Sequence, residues 1–219
     1  MPECDGVVVE AKVCGLTRPE DAAAAVAAGA DYLGVVFASG PRVVTTGQAA
    51  AIVAAAAGRP VLGVFGAQPV DEIRRLRDAA GLGGAQLHGP YSTRDAERLR
   101  LEGLLVWRVV RLEAEVDLDA LAPAAEGADA LLIEPRVSGA DGGTGAALLL
   151  ALAVRARERV RGRMVLAGGL RPETVAGAVG LVRPDVVDVS SGVEILPGIK
   201  DLQKMARFLE AVRGFSAVA

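Results

Sequence analysis

Short apolar runs alternate with alanine-rich or amphipathic stretches along the whole of the 219-residue chain. Val7-Val8-Val9 leads into a first strand ending at Cys14, and Pro19 with Glu20 opens a helix that runs to Gly29. Asp31 to Ala38 reads as a second strand, apolar nearly throughout as a parallel strand covered on both faces should be, with a helix from Thr46 to Ala57 behind it. Val61 to Phe65, Ala85 to Gly89, Leu104 to Val110, Ala128 to Glu134, Met164 to Ala167 and Val186 to Val189 supply six more strands. The helices between them run from Pro69 to Ala80, Thr93 to Glu102, Val116 to Ala125 (weakened by Pro123) and Ala146 to Val160. Arg171-Pro172-Glu173 opens a seventh, and Leu202 to Val212 closes the chain as an eighth.

Strands and helices in strict alternation imply a parallel sheet joined by right-handed crossovers. Eight units with no element left over predict an α/β fold, a single-domain (β/α)8 TIM barrel over residues 1–219; the open doubly wound sheet stays as the alternative, because periodicity does not reveal closure. In a barrel the segments that follow the strands gather at one mouth, which is where chemistry is placed.

Composition narrows the function. A net charge of -3 and the absence of a basic cluster argue against nucleic acid as a partner. No run of about 18 apolar residues is present, which argues against a membrane span, and the acidic start Met1-Pro2-Glu3-Cys4-Asp5 has no signal-like apolar region, which points to the cytoplasm. Two cysteines, Cys4 and Cys14, make no disulfide framework, and a single histidine leaves no zinc set, so the chemistry is expected to run without a metal. Whether the chain is a monomer or a homodimer is left open.

Cys14 ends the first strand, and alternation puts Lys12 on its side, where an ammonium should lower the thiol from its free pKa of about 8.5 and make it a usable base. A lone buried cysteine is otherwise a small hydrophobe. Glu134 ends the sixth strand as Cys14 ends the first, so an acid and a thiol would share the mouth; a solvated loop acid is the plainer reading. Arg42 could hold a carboxylate with its forked cation or lie on the surface. His88 is expected to be a hydrogen-bonded pocket or core residue, and Trp107 core packing. Asp188 should face inward with Ser190, to orient a sugar hydroxyl or to offset Lys12. Asp141 to Gly145, Gly168-Gly169 and Ser190-Ser191-Gly192 follow the last three strands, and together such glycine turns favour a shared phosphate grip.

Taken together, Lys12 to Thr17, Gly34 to Arg42, Gln86 to Gly89, Gly142 to Gly145, Leu166 to Pro172 and Asp188 to Glu194, with Pro197-Gly198 and Lys200-Asp201, resemble the phosphoribosylanthranilate isomerase family of tryptophan biosynthesis over essentially the whole chain. The resemblance implies a cofactor-free barrel acting on a small phosphosugar, the Amadori rearrangement of N-(5-phosphoribosyl)anthranilate to 1-(2-carboxyphenylamino)-1-deoxyribulose 5-phosphate. It implies Cys14 as the general base at C2. The general acid at the ribose ring oxygen is an aspartate in the family, and Glu134 stands at the matching position. Arg42 would hold the anthranilate carboxylate, with Gln86, His88 and Asp188 against the substrate. Gly143, Thr144, Gly168, Gly169, Ser190, Ser191 and Gly192 would hold the phosphate. The extra methylene of Glu134 requires the loop from Pro135 to Asp141 to retract. A paralogue acting on a related aminosugar phosphate, a histidine-pathway aminoaldose isomerase and a non-catalytic barrel for an anionic ligand stay open as alternatives.

Overall fold

The structure is a computed structural model and describes residues 8–112, 118, 121–135 and 143–216. Strands β1 (Glu10–Val13), β2 (Tyr32–Val36), β3 (Val61–Phe65), β4 (Gly84–Leu87), β5 (Leu105–Leu112), β6 (Ala130–Pro135), β7 (Met164–Leu166) and β8 (Val186–Val189) form a closed parallel barrel in chain order. The ring closes where β8 pairs with β1, Lys12 lying beside Asp188. Around it run α1 (Pro19–Ala27), α2 (Thr46–Ala55), α3 (Val70–Ala80), α4 (Thr93–Leu101), α5 (Leu121–Ala125), α6 (Gly143–Arg159), α7 (Val175–Val182) and α8 (Leu202–Ser216). The closed (β/α)8 barrel is therefore the fold, and the open sheet is not.

Local chemistry sets the element ends. Pro19 occupies the first turn of α1, where its missing N–H would have had no partner. Thr45 with Gln48 and Ser92 with Asp95 form reciprocal capping boxes at α2 and α4. Gly81 ends α3 in the left-handed region at φ 74°.

Alternation divides the strands between two cores. Outward residues such as Val13, Leu33, Val35, Phe65, Leu131 and Ile133 pack beneath the helices. The inward set fills the barrel itself, with Tyr32, Leu62, Trp107, Ala130, Leu132, Val165 and Val186 in contact. Trp107, 2 % exposed, meets Tyr32 edge-on with ring centroids 5.1 Å apart, so it is core packing as expected.

Four departures from the sequence reading bear on the site. β5 runs to Leu112, beyond the expected end at Val110, which carries Arg111 into register with Glu134 of β6. The helix expected from Val116 is only Leu121–Ala125 among the described residues, and residues 113–117 and 119–120 lie outside them. The helix expected at Arg171 begins at Val175 instead, because Thr174 closes a turn with its N–H to the Arg171 carbonyl at 3.1 Å. A short antiparallel hairpin, β9 (Glu194–Leu196) with β10 (Ile199–Lys200), lies between β8 and α8 and was not anticipated. It is pinned to the barrel by the Thr17 hydroxyl, which donates to the Gly198 carbonyl at 2.6 Å, and by the Lys200 N–H, which donates to Asp21 at 3.1 Å. No helix among the described residues is long and apolar enough to cross a membrane.

Candidate active site

A cavity of about 410 Å³ opens at the carboxyl ends of the strands, within the usual size of a small-molecule site. Its walls carry Cys14, Arg42, Gln86, His88, Glu134, Asp188, Gly168, Gly169, Ser190, Ser191 and Gly192, so these eleven expected residues come together. Of the other two, Gly143 and Thr144 begin α6, their side chains lie outside the description, and residues 136–142, including the glycine turn's start and the loop expected to retract, lie outside the described residues.

Cys14 and Lys12 share a space made by an absent side chain. A Cβ on Gly34 of β2 would sit 2.8 Å from the Cys14 sulfur and 3.1 Å from Lys12 Nζ, so only glycine leaves room for both. Lys12 is fully buried; its Nζ donates to Gln86 Oε1 at 2.9 Å and to Asp188 Oδ1 at 3.0 Å, and stands 5.7 Å from the Trp107 ring centroid. Burial works against the ammonium, but Asp188 and Cys14 more than offset it and raise Lys12 above its ordinary value. Burial likewise pushes the Asp188 carboxyl up, against the pull of Lys12. For the thiol the balance differs from the sequence expectation. Burial pushes Cys14 up, and the lowering by Lys12 that the sequence suggested is present but smaller. At rest, Cys14 is therefore a thiol with a cation ready beside it.

Glu134 and its neighbours occupy the opposite wall. Arg111 Nε donates to Glu134 Oε2 at 3.2 Å, and Arg111 Nη2 approaches His88 Nε2 at 2.6 Å. An arginine N–H only donates, so His88 Nε2 accepts and its ring proton sits on Nδ1. His88 Nε2 also stands 3.6 Å from Glu134 Oε2. Sequence reading missed Arg111. The signal was available in the alternation Trp107, Val109, Arg111, had the strand been carried two residues further.

Arg42 is held more firmly than expected. Its Nε and Nη2 donate to the two oxygens of Glu194 at 2.8 and 2.6 Å, a forked pair. Glu194 also accepts from Lys200 Nζ at 2.9 Å and from the Gly198 N–H at 3.2 Å. These cationic partners bring its carboxyl down to about 2 in spite of burial. Lys200, itself buried, reaches on to the Cys14 carbonyl at 2.6 Å and the Ser190 carbonyl at 3.2 Å. One lysine thereby ties the hairpin to the ends of both β1 and β8. Arg42 keeps Nη1 without a partner among the described residues.

On the remaining wall, Gly168 and Gly169 take φ of 95° and 68°, and Gly192 lies so close to the β7 loop that a Cβ would sit 1.9 Å from the Leu170 carbonyl oxygen. Backbone without side chains is what lets N–H groups approach an anion.

Residues 11–211 match the family model described as N-(5'phosphoribosyl)anthranilate (PRA) isomerase. The chain belongs to that family. It is accordingly an isomerase, as the resemblance implied. A Pseudomonas fluorescens N-(5'-phosphoribosyl)anthranilate isomerase is 41 % identical over 207 residues, covering 94 % of this chain and 96 % of that one. The solved phosphoribosyl anthranilate isomerase from Thermotoga maritima superposes with a TM-score of 0.83 at 33 % identity, covering 94 % and 99 % of the two chains. A phosphoribosyl anthranilate isomerase solved with reduced 1-(o-carboxyphenylamino)-1-deoxyribulose 5-phosphate does so with a TM-score of 0.80 at 32 % identity, covering the same shares.

Proposed function

We propose that this chain catalyses the Amadori rearrangement of N-(5'-phosphoribosyl)anthranilate to 1-(2-carboxyphenylamino)-1-deoxyribulose 5-phosphate, a step of tryptophan biosynthesis. The observation that carries the reading is that Cys14 and Glu134, from the ends of β1 and β6, line one cavity whose third wall is the glycine-rich backbone after β7 and β8. The loops after the seventh and eighth strands are the usual phosphate site of such barrels, so Gly168, Gly169, Ser190, Ser191 and Gly192 fix the phosphate end. Thr144 and Gly143 at the start of α6 complete that grip. Arg42 meets the anthranilate carboxylate through Nη1. The sugar is then stretched between two anion sites, with its reacting carbons over Cys14.

Ring opening needs a proton on the ribose ring oxygen, and Glu134 donates it. The electrons of the anomeric C–O bond go to that oxygen while the anilino nitrogen becomes a cationic iminium at C1. That cation makes the C2–H acidic. Cys14 as thiolate removes the proton, the C–H electrons form the C1–C2 double bond, and the iminium π pair returns to nitrogen. The resulting enolamine takes a proton at C1 and loses one from the C2 hydroxyl to give the ketone. Burial disfavours the thiolate this step requires; Lys12 acts in the opposite direction, and the iminium adds a second positive charge at the moment the base is used. Lys12 is in turn oriented by Gln86 and Asp188.

The test is turnover of N-(5'-phosphoribosyl)anthranilate by the purified chain, followed by loss of anthranilate-type fluorescence, with Cys14→Ala and Glu134→Gln beside it. Activity in the parent and a loss of about 10²-fold or more in each variant is expected. An inactive parent, or full activity in Cys14→Ala, would overturn the assignment.

A further inference from the structure

We propose that Lys200 is a positioning residue for Cys14, one that touches no ligand and fixes where the sulfur stands relative to the turn after β8. The inference rests on the proposed function, in which Cys14 is the base and that turn holds the phosphate end.

Lys200 ends β10, and its side chain is closed off from water. An ammonium has three protons to donate, and here each has an acceptor: the Cys14 carbonyl at 2.6 Å, the Ser190 carbonyl at 3.2 Å and Glu194 Oε1 at 2.9 Å. Cys14 and Ser190 are the residues that follow β1 and β8, so one nitrogen holds the ends of both strands. Cys14 is thereby gripped on both sides of its backbone, because its N–H donates to the Val189 carbonyl at 2.8 Å while its carbonyl accepts from Lys200. The next residue has no slack either. A Cβ on Gly15, which takes φ 72°, would lie 2.6 Å from Arg42 Cδ and 2.8 Å from Ser190 Oγ.

Attachment of the hairpin alone does not call for this residue. A well-packed apolar side chain anchors as firmly as a buried ion pair, and often more so. What an apolar side chain cannot do is set the separation of two carbonyls from different strands. That separation matters where a base and an anion grip work on one small substrate, since a displacement of about 1 Å in such a site costs about 10²-fold in rate. The charge of Lys200 also reaches the sulfur. Lys12 of β1 and Lys200 of β10 draw the thiol down, Asp188 of β8 acts with burial to push it up, and Arg42 of the loop after β2 is a further cation coupled to it.

The test measures turnover of N-(5'-phosphoribosyl)anthranilate, competition by ribose 5-phosphate and the pH midpoint of Cys14 alkylation by iodoacetamide on the parent, Lys200→Met and Thr17→Val chains. Thr17→Val leaves Lys200 in place and removes only the hydroxyl that pins the Gly198 carbonyl, loosening the hairpin that carries the lysine. Lys200→Met should lose about 10-fold or more in kcat and move the alkylation midpoint up, while competition by ribose 5-phosphate stays within about 3-fold of the parent. Thr17→Val should lose kcat in the same sense by less. Parental kcat and a parental midpoint in Lys200→Met overturn the inference, whatever happens to its stability in urea. Loss of ribose 5-phosphate competition as large as the loss of kcat also overturns it, because the lysine would then only hold up the phosphate turn. Should Lys200→Met not fold, Thr17→Val decides: a lowered kcat with ribose 5-phosphate competition kept supports the inference, and parental kcat overturns it. A parent without turnover sinks the proposed function, and the alkylation arm then decides alone: a raised midpoint in Lys200→Met supports the placement of the sulfur by Lys200, and an unchanged one overturns it.

Discussion

Replacing Glu194 by glutamine isolates one charge arrangement at the mouth. The carboxyl is held down from its ordinary 4.5 to about 2 by Arg42, Lys200 and the Gly198 N–H. Each unit is about 1.4 kcal/mol, so the ionised form stabilises the folded chain by about 3 kcal/mol, or about 2 kcal/mol once water at the partly exposed Arg42 is allowed for. Because the folded value lies below the unfolded one, this stabilisation is fully present above about pH 5 and is lost as pH falls toward about 2. Glutamine keeps one oxygen for Lys200 and Gly198, but its amide N–H₂ would face a nitrogen of Arg42, donor against donor. Urea unfolding of parent and Glu194→Gln chains, followed by the fluorescence of Trp107, should therefore show a deficit of about 2 kcal/mol at pH 7 that shrinks steadily between pH 5 and pH 3. A deficit below about 0.5 kcal/mol at pH 7, or one that does not change with pH, would refute the reasoning.

Three further outcomes follow from the same geometry. Alkylation of Cys14 by iodoacetamide, scored by peptide mass against pH, should have a midpoint above that of a free thiol, and Lys12→Met should move it higher by removing the cation that opposes burial; a midpoint below that of a free thiol contradicts the balance described. Gly34→Ala places a methyl 2.8 Å from the Cys14 sulfur and should cost about 1–3 kcal/mol in urea and displace the thiol, seen as a large loss of kcat; a variant with parental stability and kcat would show that the space admits a methyl after all. Gly192→Ala drives a methyl against the Leu170 carbonyl, backbone that has little room to give, and should abolish competition by ribose 5-phosphate; unchanged competition would separate this turn from the phosphate grip.

The barrel was legible because each strand is a compact apolar run between helices with their own start signals, and parallel strands buried on both faces leave that trace. Cys14 and Glu134 were legible for a related reason: each is the residue with chemistry at the end of such a run. Arg111 was not, because β5 continues past Val110 under the pairing of β6, and a register imposed by a neighbouring strand leaves little mark on one strand's composition. The hairpin of β9 and β10 escaped for want of length, and with it Glu194 and Lys200 as mouth residues, although Pro197-Gly198 marked a turn there. The direction of the Cys14 shift was read the wrong way round because spacing reveals a neighbouring charge but not the depth of burial against which it works.

Three cation and carboxylate pairs occupy different depths of this mouth, and depth assigns them different work. Lys12 with Asp188 is closed off from water, so breaking it strands a buried charge; it holds one fixed field beneath the sulfur. Arg42 with Glu194 is closed on the acidic side and open on the basic side, which fixes the fork while leaving one nitrogen for a ligand. Arg111 with Glu134 is open on both sides, and an open pair is cheap to exchange. For the proposed reaction, a site that keeps its base in place, anchors an anion and releases an acid needs pairs of graded exposure. Glu134 reaches one methylene further from β6 than an aspartate would, and its carboxyl lies 3.2 Å from Arg111 Nε, in the pair of the three that water touches from both sides.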